Sequence, residues 1–224
     1  MIDTDDILEH IGAAAGIWCA ADTDTPDLAA AADLVVARGL RDISVAPAAV
    51  PVVWPWLEHT NVQIAARFYL SSASRVATFD DVSDIAARIN LAFKQGASVA
   101  QVFMRLVDVA SFVQNLSPIR SDLFFNKDLV IGLNIGEIDA SDWSELIANL
   151  NQIGASLLLV LAQDRGLKSD FVGRVYGVLD GPVEKFNGAL HWYLGAGQTR
   201  AEQVMRLATA MQPQIMPRLK FWVA

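Results

Sequence analysis

The sequence has little of what would commit it to a redox, membrane or nucleic-acid role. Cys19 is its only cysteine, which excludes disulfides and cysteine-based zinc sites. No wholly apolar run exceeds the six residues from Leu157 to Ala162, far short of the roughly 20 that span a bilayer. The opening MIDTDDILEH is acidic and lacks the basic start and apolar stretch of a secretion signal, so a cytoplasmic protein is expected and no membrane partner. Basic residues number 17 against 25 acidic ones, for a net charge of −8. They are scattered, Arg165, Lys168 and Arg174 being the nearest to a cluster. A nucleic-acid binder gathers cations on one face to displace counterions, so nucleic acid is not expected as a partner. Asp22 and Asp24 have no histidine or third carboxylate near them in sequence, and they read as turn and pre-cap residues. No metal and no cofactor is expected.

What the chain does have is apolar material in short, regularly spaced runs. Hydrophobic residues make up 53% of the 224 and charged residues 19%, enough for a large buried core. Candidate strands are Ile17–Ala20, Ile43–Ala46, Val62–Tyr69, Ala100–Met104, Leu129–Asn134, Ser156–Leu161, Ala189–Leu194 and Leu219–Val223. Most run apolar from end to end, as strands of a parallel sheet covered on both faces do. Helices with clear punctuation lie between them. Thr25-Pro26-Asp27 supplies a cap, a proline at the first helical position and an acidic first turn, and Gly39 closes that helix. Ser141 to Glu145 starts another that ends at Gly154. Thr199 and Glu202 have the spacing of a capping box. Eight strands alternating with helices predict a single-domain (β/α)8 TIM barrel over residues 1–224, with residues 1–11 as a lead-in helix. The rival, an open doubly wound sheet, normally carries a glycine-rich fingerprint after its first strand, and IWCAADTDTPD has none.

Such barrels place their chemistry at the C-terminal ends of the strands and in the following loops. The candidate rim residues are Arg105, Asp164, Arg165, His191 and Tyr193. Arg105 and Asp108 are spaced to pair on one helical turn, and His191 sits in an apolar strand as a satisfied core histidine would. Gly195, Gly197 and Gln198 precede a helix start, where free N–H groups and the helix dipole suit an anion. Trp54 and Trp56, in VVWPWLEH, suit a subunit contact in a homo-oligomer.

The order of these pieces resembles the deoxyribose-phosphate aldolase family, class I aldolases built on this barrel. The likeness rests on DISVAPAAVPVVWPWLE, on VQIAARFYL followed by AFKQGASVAQVF, on LVIGLNIGEIDASDWSELIANLNQIGASLLLVL, and on LHWYLGAGQTRAEQV. The resemblance implies a lysine on strand six that forms an imine with the substrate carbonyl. It also implies a second lysine on strand seven that keeps the first unprotonated, and aspartates on early strands that relay protons. Position by position these fall on Leu159, Tyr193, Gln101 and Gly16, none of which can do that chemistry. The paired glycines of the family's phosphate turn become Ala196-Gly197.

Three readings follow. The chain is a barrel without imine chemistry that serves as a binding or scaffold protein. Alternatively it is a repurposed enzyme of lyase, aldolase or isomerase type, using the rim candidates on a small phosphorylated or carbonyl substrate. In the third, the reactive lysine has moved to Lys220, the only one of the five lysines placed to point inward.

Overall fold

The computed structural model describes residues 12–70, 76–124, 126–160, 171–195 and 198–224, without the side chains of Ala13, Gln198 and Thr199. The lead-in helix expected over 1–11 lies outside the described residues. Eight parallel strands pair in chain order and close into a barrel: β1 (Ala15–Trp18), β2 (Asp42–Val45), β3 (Gln63–Tyr69), β4 (Val99–Phe103), β5 (Asp128–Asn134), β6 (Ser156–Val160), β7 (Leu190–Tyr193) and β8 (Leu219–Val223). The described helices are α1 (Thr25–Ala37), α2 (Val50–Leu57), α3 (Phe79–Lys94), α4 (Val109–Leu116), α5 (Arg120–Leu123), α6 (Trp143–Ile153), α7 (Phe171–Leu179) and α8 (Gln198–Met211). The fold is the single-domain TIM barrel that the strand spacing predicts.

Helix boundaries follow local chemistry. Asp24, not Thr25, caps α1: its carboxylate accepts the Asp27 N–H at 3.0 Å, because a carboxylate one residue earlier reaches the same orphan donor. α3 opens with a reciprocal capping box between Thr78 and Asp81. α6 buries Trp143, Leu146, Ile147, Leu150 and Ile153, a three-and-four spacing that faces the barrel. Each such side chain contributes about 1.5–3 kcal/mol on leaving water. Gly154 ends α6 in the left-handed region at φ 59°, where a Cβ is costly. α8 begins at Gln198, one residue before the threonine expected to cap it, and Thr199's side chain is outside the described residues.

Two apolar clusters divide the work. The larger lies between the strands and the helices. The smaller fills the barrel itself and consists of Ala65, Val99, Val130, Leu158 and Trp222, with Trp18, Phe103, Val160 and Tyr193 packed on it.

Candidate functional site

Successive side chains on a strand face opposite sides, so the two clusters fix which residues line the barrel. On β6, Leu158 and Val160 face inward, level with His191 and Tyr193 of β7. Leu159 faces the helical layer, level with Trp192, whose ring meets Phe171 of α7 edge-on at 6.3 Å. Leu159, the residue on which the resemblance places the imine-forming position, thus faces away from the barrel interior, and its inward neighbours are Leu158 and Val160. An unbroken aliphatic run has no alternation from which the inward face can be read.

The C-terminal half of the barrel is filled by rings. Trp18 lies 4.8 Å from Tyr193, 5.7 Å from Phe103 and 6.2 Å from Trp222, centroid to centroid. Tyr69, 60% exposed, stacks on Phe103 at 5.3 Å. Two glycines make room for this packing. A Cβ on Gly16 would lie 2.7 Å from the Trp222 ring, and one on Gly132 would lie 2.4 Å from the Phe103 ring. The strand-one position that the resemblance assigns to an aspartate is thus occupied by a neighbour's ring. Gly16→Ala is expected to cost about 1–3 kcal/mol through overpacking, read as a lower urea midpoint with an unchanged slope.

Beneath the rings runs a polar network. Arg67 of β3 is 3% exposed. Its guanidinium donates to the Ser44 carbonyl at 3.0 Å, to Ser44 Oγ at 3.1 Å and to the Cys19 carbonyl, and Trp18 covers it at 4.2 Å. Ser44 Oγ donates onward to Gln101 Oε1 at 2.7 Å, and the buried Gln101 Nε2 has no hydrogen-bond partner among the described residues. No carboxylate faces Arg67 among the described residues. Burial draws its pKa below the ordinary arginine value, opposed by the nearby Tyr69, Cys19 and Tyr193. Burial in turn raises the pKa of Tyr193, with Arg67 pulling it down and Tyr69 adding to the rise. The Cys19 thiol is also raised by burial, Arg67 opposing, so it stays a protonated, inert thiol at neutral pH.

The other rim candidates are dispersed. Arg105 grips Asp108 through two hydrogen bonds, Nε to Oδ2 at 2.8 Å and Nη2 to Oδ1 at 3.1 Å. Asp108 also accepts the Ala77 N–H at 2.8 Å, bracing the exit of β4 against the start of α3. The structural ion pair expected from their spacing is present. His191 is buried in the barrel, away from the rim, and its Nδ1 accepts from Trp222 Nε1 at 3.2 Å. Desolvation and then Lys220 depress its pKa to about 3, leaving a neutral imidazole that is a weak base at pH 7. Lys220 of β8 is in register with His191, and its Nζ has both Asp42 oxygens at 3.0 Å. It therefore lies toward the N-terminal end of the barrel, away from the rim. Gly195 adopts φ 57°, but Gly197, Asp164 and Arg165 lie outside the described residues, as does the side chain of Gln198. Among the described residues no three metal-ligating side chains gather, and no helix is long and apolar enough to cross a membrane.

Sequence reasoning places Arg67 along strand three but leaves it out of the candidate set, and it misses the Trp18 ring that covers it. The available signal was a lone charge inside the apolar run IAARFYL, which has to find partners if its strand is buried on both faces.

Fold and interior define a TIM barrel with an aromatic filling at its C-terminal mouth. No protein-family model and no curated protein matches the sequence. Solved structures do match in fold. The tetrameric deoxyribose phosphate aldolase of Aeropyrum pernix is 12% identical with a TM-score of 0.67, over 100% of this chain and 94% of that one. A protein described as a deoxyribose-phosphate aldolase from Toxoplasma gondii ME49 is 15% identical with a TM-score of 0.66, over 97% and 90%. A protein described as the copper homeostasis protein CutC from Streptococcus agalactiae is 10% identical with a TM-score of 0.64, over 93% and 97%. At these identities the likeness establishes the fold.

Proposed function

We propose that this chain is an aldolase-like barrel that binds a small ligand or a protein partner without imine chemistry. The observation that carries the reading is the ring packing of Trp18, Phe103, Tyr193 and Trp222. It occupies the part of the barrel where a class I aldolase exposes its amines, and the inward residues there are Leu158, Val160 and Tyr193. An imine needs an unprotonated amine within reach of a carbonyl, and neither β6 nor β7 contains a lysine.

A second reading, a repurposed enzyme acting on a small phosphorylated or carbonyl compound, draws support from Arg67. A guanidinium buried without a carboxylate is costly, and such groups cluster at functional sites. Exposed Trp54 and Trp56 on α2 and the tetrameric state of the Aeropyrum pernix aldolase support self-association as part of the role. We assign the chain to the cytoplasm on its single cysteine.

Borohydride trapping tests the principal reading. After incubation with acetaldehyde or deoxyribose 5-phosphate and reduction, the intact mass is expected to stay unchanged. A lysine-bound adduct would overturn it. Turnover of deoxyribose 5-phosphate without an adduct would move the conclusion to the second reading.

A further inference from the structure

The end of the barrel opposite the rim holds an open hollow of about 830 Å³, within the size range of small-molecule sites. It lies among the strand starts, and its polar lining is Arg41, Asp42, Asn61, Gln63, Arg218 and Lys220. This chain has more acids than bases, 25 to 17, yet the hollow collects three cations and one carboxylate.

Stability accounts for part of that lining. Lys220 and Asp42 neutralise each other and tie β8 to β2 across Gly16. Arg218 is clamped by the carbonyls of Phe186 and of Gly188, the latter at 3.2 Å, which fixes its side chain but leaves its charge unmatched. Arg41, Asn61 and Gln63 are not accounted for in this way. Their side chains make no hydrogen bond or ion pair with any described residue, although all three face the same hollow as Arg218. Two guanidinium charges without a carboxylate, one of them immobilised, and two carboxamide donors thus converge on one concave space.

We infer that this hollow binds a small dianion, held by Arg41 and Arg218 with Asn61 and Gln63 donating to its oxygens. Phosphate carries about −1.5 to −2 charge at pH 7, and the forked donors of arginine match phosphate and carboxylate oxygens in pairs. A phosphate monoester and a short dicarboxylate share that chemistry. The site is independent of the reading proposed for the C-terminal mouth and lies at the other end of the barrel.

Calorimetric titration of the full chain with inorganic phosphate and with malonate, at ionic strength held constant with sodium chloride, tests the inference. At least one dianion is expected to bind saturably, with a Kd below about 5 mM. Tighter phosphate binding identifies the phosphate ester as the ligand class, and tighter malonate binding identifies the dicarboxylate. Arg41→Glu is expected to weaken binding by at least about tenfold, and Asn61→Asp to weaken it as well. Both positions are exposed, so folding is not at stake. Lys94→Glu makes the same charge change at the exposed end of α3 and is expected to leave affinity within about twofold. Absence of saturable binding to either dianion overturns the inference. So does equal weakening by Lys94→Glu and Arg41→Glu, or binding that Arg41→Glu leaves intact.

Discussion

Replacing Arg67 by alanine is expected to lower the unfolding free energy by about 3–5 kcal/mol, in the range seen when one member of a buried polar network is removed. The guanidinium supplies the donors for the Ser44 and Cys19 carbonyls and for Ser44 Oγ. Without it, the Cys19 carbonyl loses its guanidinium donor, at about 1–3 kcal/mol for a buried acceptor, and the Ser44 carbonyl is left with the Cys19 N–H at 2.9 Å. The Trp18 ring loses the cation at 4.2 Å beneath it, and a void opens under the aromatic layer. Arg67→Met separates the contributions. Methionine fills most of the volume and removes the cost of burying a charge, but it supplies no donor. It is expected to destabilise by about half as much as alanine. Urea unfolding of the three proteins decides the matter. If Arg67→Met equals or exceeds wild-type stability, the arginine is not retained for structure, and the enzyme reading gains accordingly.

Acid is expected to weaken the fold through His191. The imidazole is neutral in the native state, with its pKa depressed to about 3, whereas an unfolded histidine titrates near 6.5. Between those values the unfolded chain binds a proton that the native chain refuses, so stability falls as pH drops below about 6.5. The full contribution is present above that pH and is progressively lost toward pH 3. At pH 4 the loss from this one group is on the order of 3 kcal/mol. His191→Phe removes the titration and with it this part of the slope, at the constant cost of leaving Trp222 Nε1 without its acceptor. The readout is the difference between the two stability–pH curves from pH 8 to pH 4. Parallel curves would mean that the native imidazole takes up a proton as readily as the unfolded one, contradicting its dry setting among Trp222, Lys220 and the barrel wall.

How much of this was legible in the residues depends on where alternation survives. The strands were placed within about two residues because turns, caps and glycines bracket each apolar run. Arg105 and Asp108 were legible as a pair from their three-residue spacing alone. The inward face of β6 was not. Leu157 to Val160 present the same chemistry to both sides of a wall that is buried on both sides, so the sequence does not tell that Leu159 faces outward and Leu158 and Val160 inward. His191 and Tyr193 share a face of β7, yet only the closed barrel distinguishes the dry interior around the first from the half-buried mouth around the second. Gly16 read as a lost aspartate. The structure adds a ring contributed by Trp222, more than two hundred residues away, which leaves no room for a Cβ there and which no local pattern reveals.

That exchange of a side chain for a neighbour's ring has a consequence for how the chain can change. Gly16 and Trp222, like Gly132 and Phe103, occupy one volume between two positions. Neither glycine can acquire a functional group until its ring partner has shrunk, and each ring, once shrunk, leaves a void that only a second substitution fills. The inward residues of β6 adjoin the same packing, so a lysine introduced there meets rings where an amine would need open space. Placing an amine on β6 therefore has an obligatory order, with the rings removed first at a loss of stability and the reactive group added afterwards. Packing constrains what β6 can carry as firmly as its own aliphatic sequence does.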